Sequence, residues 1–346
     1  MNIRTLTAAL LAFLALAVPA TASAAGSAGA VVFSKSTAVE KDVVKGGLFA
    51  VKDGRLNQLT EDPADVEPAF SPDGRTIAFA RGGDLFSVRP DGSGQRQLTS
   101  GPEIDSAPQV STNGRYVVFE RRAGVGAPAD LYTVGATGGG LRALTSGAND
   151  DREAAFSPDG KAIVFVRGTT DAADHVNDDL FSVRPNGSGL ARLTTTAGVD
   201  EFAPRYFAGG ILYSRGESEE GPAAYADIYT MRRNGANLKS LVAGVGSAYV
   251  EDVSPDGHTL LFRRDQGLWV THIGAGRARK LSQLPDGSKT TSVFSPDGRR
   301  VAAFIAQEEV EQLMSIDVKT GRKAELADSF QTESGDSIGP VIAWQP

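Results

Sequence analysis

The sequence predicts an all-β fold: a seven-bladed β-propeller of four-stranded antiparallel blades, closed by the C-terminal strand joining the N-terminal blade, with six blades as the alternative count. Three observations predict it. Ser-Pro-Asp-Gly occurs four times, beginning at Ser71, Ser157, Ser254 and Ser295, and a variant, Ser111-Thr112-Asn113-Gly114, lies between the first two. The residues that end the preceding strands, Phe70, Val110, Phe156, Tyr206, Val253, Phe294 and Trp344, recur every 40 to 50 positions, about 46 on average, close to the length of a propeller blade. The two ends also complement each other. The chain opens with the second, third and fourth strands of a repeat and ends on a lone first strand.

The first 24 residues read as a signal peptide. Arg4 supplies a positive start, Ala8 to Val18 an 11-residue apolar stretch, and Ala22-Ser23-Ala24 the small residues of a cleavage site after Ala24 or Ala25. Eleven residues at 1.5 Å rise cannot cross a hydrocarbon core about 30 Å thick. Residues 25–346 are therefore expected to form a single exported propeller domain with no membrane span, periplasmic or extracellular.

The repeats follow in order. Ala30-Val31-Val32-Phe33, Leu48-Phe49-Ala50-Val51 and Leu56-Asn57-Gln58-Leu59 are the second to fourth strands of the opening blade. The next blade is complete. A strand ends in Phe70 and Ser71-Pro72-Asp73-Gly74 turns the chain, because proline presets φ while Asp and Gly tolerate turn conformations. Arg75 to Arg81 returns, Asp84 to Val88 is the third strand, Arg89-Pro90-Asp91-Gly92 turns again, and a short outer strand ends in Leu98-Thr99. One repeat is worn, with Pro204-Arg205-Tyr206 as its first strand and Phe207-Ala208-Gly209-Gly210 as its turn. The last copy is only Ile342-Ala343-Trp344-Gln345-Pro346, which must complete the opening blade if no edge is to stay exposed. Second strands such as Ile163-Val164-Phe165-Val166 are apolar on both faces, as suits sheets covered on both sides. Aromatics recur at two places, Phe33, Phe79, Phe119, Phe165, Tyr213 and Phe262, and Phe49, Phe86, Tyr132, Phe181, Tyr229 and Trp269, and would fill the blade interfaces.

Composition narrows the function. The 346 residues contain no cysteine, which removes disulfides, thiolate metal sites and cysteine nucleophiles. The formal charge is −7, from 35 basic and 42 acidic residues, which disfavours a nucleic-acid ligand. The three histidines, His175, His258 and His272, lie in three blades without metal spacing. No Gly-x-Ser-x-Gly elbow, P-loop or dinucleotide fingerprint occurs. The reading assigns no catalytic residue, metal or cofactor.

The order strand, Ser-Pro-Asp-Gly, strand, Asp-Leu-Phe, Asp-Gly-Ser-Gly and Leu-Thr, intact from Phe70 to Thr99, resembles the TolB-type WD-like propeller repeat. The resemblance covers almost all of the chain after the leader, without the α/β domain that precedes the propeller in TolB. It implies the propeller fold and a periplasmic or exported binding role.

Two groups of residues are candidates for recognition. Pairing the first two strands across the Ser-Pro-Asp-Gly turn, with Phe70 opposite Arg75, sets Arg81 beside Asp65, Arg121 beside Asp105, Arg167 beside Asp151 and Arg215 beside Glu201. Lys35 and Arg264 hold the basic position without the acid, and Ile305 breaks the series. These pairs would form a charged ring at the channel mouth, opposite the Ser-Pro-Asp-Gly turns. A pairing that recurs with the repeat is also what a blade-by-blade salt bridge looks like, and that structural role is the favoured one. The second group lies on the same rim, where Ser36 to Gly46, Arg122 to Ala129, Gly168 to Asp178 and Gly216 to Ala226 are longer than a hairpin needs. One of these loops holds Asp171, Asp174, His175 and Asp178. It lacks the alternating Asp-x-Asp-x-Asp-Gly of a calcium loop. The expected function is an exported non-enzymatic scaffold that binds a protein, peptide or glycan through the long-loop face and channel mouth. The alternatives are a propeller enzyme acting on polysaccharide, as lyase or glycosidase, and an orphaned peptidase-type propeller.

Overall fold

The computed structural model describes residues 29–39, 43–170, 176–196, 198–216, 226–244, 246–274, 277–307, 310–326 and 336–346. Residues 1–24, which the sequence reads as a signal peptide, and Asp171, Asp174 and His175 lie outside these residues. The described residues form seven four-stranded antiparallel sheets. Six are built from consecutive strands. In the seventh, Asp336–Trp344 pairs with Val31–Val39 and becomes the inner strand of blade 1, with Trp344 opposite Val31 and Ile342 opposite Phe33. Each inner strand also neighbours the next around the ring, including that of blade 1 against Asp65–Phe70 of blade 2. The count of seven and the closure by the two chain ends are both present. No helix among the described residues is long and apolar enough to cross a membrane.

Each recurring piece of the repeat has a local physical cause. In the first Ser-Pro-Asp-Gly turn, Ser71 Oγ donates to Asp73 Oδ1 at 2.7 Å, the Thr76 amide donates to Ser71 Oγ at 3.0 Å, and Gly74 takes a φ of 65° that a side chain would resist. The same closure recurs at Ser111, Ser157, Ser254 and Ser295, with Asn113 in place of Asp in the variant copy. The hydrogen bond from Ser157 is the main reason that the Asp159 carboxyl is lowered to about 2. The Leu-Thr endings have a cause as well. Thr60, Thr99, Thr145 and Thr194 each accept, at 2.8 Å, the first amide of the third-strand core leucine (Leu48, Leu85, Leu131 and Leu180).

The apolar core is divided seven ways, and each part lies between two neighbouring blades. One cluster joins blades 1 and 2 through Val32, Leu48, Phe70, Ile77 and Phe79; another joins blades 7 and 1 through Phe304, Leu313, Phe33, Ile342 and Trp344. The recurring aromatics pair directly across the second and third strands, with ring centroids 5.9–6.4 Å apart, from Phe79 on Phe86 to Phe262 on Trp269. Sheet stability is therefore shared around the ring, and no blade has a core of its own.

Candidate functional site

The inner-strand register differs in detail from the simple hairpin expectation. Phe70 sits opposite Ile77, not Arg75, because the turn is held by Ser71 against Thr76. A β-bulge between Val66 and Ala69 then inserts one extra residue and brings Asp65 level with Arg81. Equivalent bulges set Asp105 opposite Arg121, Asp151 opposite Arg167 and Glu201 opposite Arg215. Blade 6 has Ala248 opposite Arg264, and blade 7 has Thr290 opposite Ile305.

The three Asp pairs are bidentate. Arg121 contacts Asp105 at 2.7 and 2.8 Å, Arg167 contacts Asp151 at 2.5 and 2.6 Å, and Arg81 holds Asp65 through Nε and through Nη2 at 2.8 Å. The carboxylates are fully enclosed, while the arginine side chains keep 10–17% of their surface. Each guanidinium lies over an aromatic of its own blade, Arg81 over Phe86 at 4.7 Å, Arg121 over Tyr132 at 5.1 Å and Arg167 over Phe181 at 4.9 Å. This places the predicted ring inside the blade interfaces just below the loop-bearing rim. The Glu201 pair is different. Its extra methylene breaks the fork, Arg215 Nε stands 3.8 Å from Oε1, and Thr194 Oγ1 donates to Oε2 at 3.1 Å. Burial then dominates and pushes the Glu201 carboxyl up to about 8.

A second layer, which sequence reasoning missed, links the blades through the inner strands. Glu67, Ala107, Glu153 and Ala203, each two residues past the ring acid, have φ of 50–56°. Such a conformation costs roughly 1–3 kcal/mol for a residue with a side chain and persists only when neighbours impose it. In the last three of these the amide of the turned residue is captured by a carboxylate of the preceding blade. Ala107 N donates to Glu67 at 2.5 Å, Glu153 N to Glu120 at 3.0 Å, and Ala203 N to Glu153 at 2.6 Å. Blades 6 and 7 are joined similarly, with Ser292 N donating to Glu251 at 3.0 Å and Phe294 N to Asp252 at 2.7 Å. The spacing Asp-x-Glu at Asp65-Val66-Glu67 and Asp151-Arg152-Glu153 was the available signal.

Of the long rim segments, two prove to be extended hairpins. Val31–Val39 and Val43–Lys52 stay paired out to Val39 and Val43, and the blade 4 pair continues to Thr170 opposite Val176. Blade 7 has one more, with Gln307 opposite Val310. Asp178 stands at the base of the blade 4 hairpin, ion-paired to Arg152. A chain of charges runs from there through Asp150 to Arg122 and Glu120, with Arg152–Asp150 at 3.4 Å and Arg122–Glu120 at 3.0 Å. At the other end of the channel, the anchors Phe70, Val110, Phe156, Tyr206 and Val253 converge on a cavity of about 220 Å³ that Arg205 also lines.

The buried carboxyl groups give the fold a pH dependence. Burial is the largest influence on Glu120 and Asp252, both raised to about 7, on Asp178, raised to about 6, and on Glu67 and Glu251, which are also raised. The folded chain keeps protons that the unfolded chain releases above about pH 4. This contribution to stability is complete below the unfolded value and is lost as pH rises through 6 to 8. The turn aspartates are lowered and weaken the fold only in stronger acid. Calorimetry should find the melting temperature at pH 5 higher than at pH 8.5 by about 5 °C or more. A flat profile between those values would refute this account of the buried carboxyls.

The model of the TolB beta propeller domain family matches residues 30–202. No curated protein sequence matches the chain. Among solved structures, an oligogalacturonate lyase from Vibrio parahaemolyticus is similar with 14% identity over 85% of this chain and 99% of its own, at a TM-score of 0.63. TolB from Acinetobacter baumannii is similar with 14% identity over 92% of this chain and 67% of its own, at 0.56. The β-propeller domain of the Trilobed protease from Pyrococcus furiosus, described as having an open velcro topology, is similar with 11% identity over 89% of this chain and 95% of its own, at 0.62. At these identities the likeness is one of fold.

Proposed function

The chain belongs to the TolB beta propeller domain family, and we propose that it is an exported, non-enzymatic propeller that binds a protein, peptide or glycan through its loop face and channel mouth. The observation that carries this reading is the rigid rim with hairpins standing on it. Bidentate ion pairs and carboxylate-to-amide links brace one end of the ring, and extended hairpins rise from that same end in blades 1, 4 and 7. Recognition segments of variable length on a fixed scaffold are how repeat proteins usually build a binding face. In this reading the ring residues Asp65, Arg81, Asp105, Arg121, Asp151, Arg167, Glu201 and Arg215 hold the rim in shape. The hairpins, including Asp171, Asp174, His175 and Asp178, meet the partner. Export rests on the amino-terminal leader.

A second reading, an enzyme cleaving polysaccharide in the channel, draws on Glu120 and Asp252, since carboxyl groups near neutrality suit acid–base work. One pair of assays separates the two. Capture of a partner from envelope extract should be lost when the Gly168–Asp178 hairpin and its counterparts in blades 1 and 7 are shortened, and the same protein should not turn over polyuronides or aryl glycosides. Capture that survives all three shortenings would mean the wrong face has been chosen. Turnover abolished by Glu120→Gln would favour the enzyme.

A further inference from the structure

The two faces of the disc carry opposite charge. The segments that join first to second and third to fourth strands all emerge on the Ser-Pro-Asp-Gly side, and they contain eleven Lys or Arg against six Asp or Glu. On that side every outer strand also opens with a cation within its first two residues, from Arg55 in blade 1 to Lys323 in blade 7. Among the described residues, the segments at the other end, which join second to third strands and one blade to the next, contain five Asp or Glu (Glu61, Asp62, Glu103, Asp265 and Asp286) and no Lys or Arg. The net charge of −7 conceals this division.

The positive charge of the turn face is oriented but largely not cancelled. Arg96 Nη1 donates to the Thr137 carbonyl at 2.9 Å, Arg279 to that of Val318, and Lys323 Nζ to that of Gln283 at 3.3 Å. These partners are neutral. They hold each cation against the neighbouring blade and leave its charge facing outward. Among the described residues, three cations are paired with carboxylates, Arg192 with Asp179, Arg233 with Asp159 and, at 3.9 Å, Arg75 with Asp73. The turn aspartates fold back onto their own serine hydroxyls. Beside the outer-strand cations of blades 1, 3, 4 and 5 stand Leu56, Leu141, Leu190 and Leu238, each 42–48% exposed.

We propose that the turn face seats the propeller on an anionic lipid bilayer. The cations contact headgroup phosphates, the four leucines enter the boundary between headgroups and acyl chains, and the acidic loop face is turned away from the surface by repulsion. Two features favour a bilayer over a soluble acidic polysaccharide. The cations are spread around the whole circumference, one outer-strand cation per blade, which matches a planar array of phosphates and not a single linear chain. Exposed leucines interleaved with cations match an interface that has an apolar layer directly beneath its charge.

The test is co-sedimentation of the full chain with two sets of vesicles, phosphatidylcholine alone and phosphatidylcholine with about 30 mol% phosphatidylglycerol. Partition onto the anionic vesicles should exceed that onto the neutral ones by about tenfold or more and vanish at about 0.5 M salt. The exposed cations Arg55, Arg142, Arg232 and Lys319 are reversed together as R55E/R142E/R232E/K319E, and neutralised together as R55Q/R142Q/R232Q/K319Q in case the reversal impairs folding. Either set should remove most of the excess, and L141S/L190S/L238S should lower it several-fold without changing its salt dependence. Because the leader is intact in every variant, a loss in these variants belongs to the face. An excess that all three variants retain would overturn the proposal. So would a wild-type protein that ignores both vesicles but is retained on immobilised polygalacturonate, with retention abolished by the same reversal.

Discussion

Removing residues Ile338 to Pro346 is expected to lower the melting temperature by more than about 15 °C or to leave the chain insoluble, a larger effect than any single core substitution. The deletion takes the inner strand from blade 1 and exposes the inner edge of Val31–Val39. It also opens two cores at once. Ile342 and Trp344 pack with Phe33, Phe304 and Leu313 between blades 7 and 1, and Ala343 packs with Phe70, Ile77 and Phe79 between blades 1 and 2. Four further hydrogen bonds of the closure are lost, one of them from the Ala30 amide to Gln345 Oε1 at 3.3 Å. Trp344 Nε1 donates to the Gly29 carbonyl at 2.9 Å, the Gln345 amide to that of Ala30 at 2.7 Å, and Gln345 Nε2 to that of Gly74 in blade 2 at 3.1 Å. Trp344→Ala is the graded version and should cost about 3–5 kcal/mol by chemical denaturation. A truncated chain that melts within a few degrees of the full one would mean that the ring does not depend on its closure.

Asp151→Ala is expected to destabilise the protein by about 3–5 kcal/mol, because it strands the Arg167 guanidinium in a buried position. Both carboxylate oxygens of Asp151 are committed to Arg167, and the arginine is only 8% exposed. Removing both partners in Asp151→Leu/Arg167→Met should recover most of that loss, since two apolar side chains leave no unpaired charge. The blade 5 equivalent supplies the contrast. Glu201→Gln should change stability near pH 7 by less than about 1 kcal/mol, because the Glu201 carboxyl, raised to about 8, is already mainly protonated there. Denaturant titration of the four proteins checks both statements. Equal losses in Asp151→Ala and Glu201→Gln would show that the ring behaves uniformly, against the geometry described above.

The contrast between Asp151 and Glu201 marks how far residue patterns could be read. That acids face arginines across the inner hairpin was legible from spacing. The register behind it was not, because the turn adds residues to one side and the bulge between Val66 and Ala69 adds one to the other, and the two offsets partly cancel. The carboxylate links from Glu67, Glu120 and Glu153 to the next blade were hidden for a different reason. They join residues 33 to 50 positions apart in different sheets, and local alternation carries no record of them. The rim segments Ser36 to Gly46 and Gly168 to Asp178 read as loops because they lack the apolar run of a buried strand, yet much of each is paired as an extended hairpin.

What the amino-acid order determined by itself is everything that repeats: the four-stranded unit, its serine-locked turn, its threonine-capped outer strand, seven copies, and the split copy that closes the ring. These follow from short-range chemistry, hydrogen bonds that span five residues in the turn and 12 to 14 at the threonine, and alternation along a strand, and each copy restates them. Tertiary structure alone decided which charges share a surface. Antiparallel hairpins send alternate connections to opposite ends of the disc, so acids and bases that are mixed along the chain become separated into two faces.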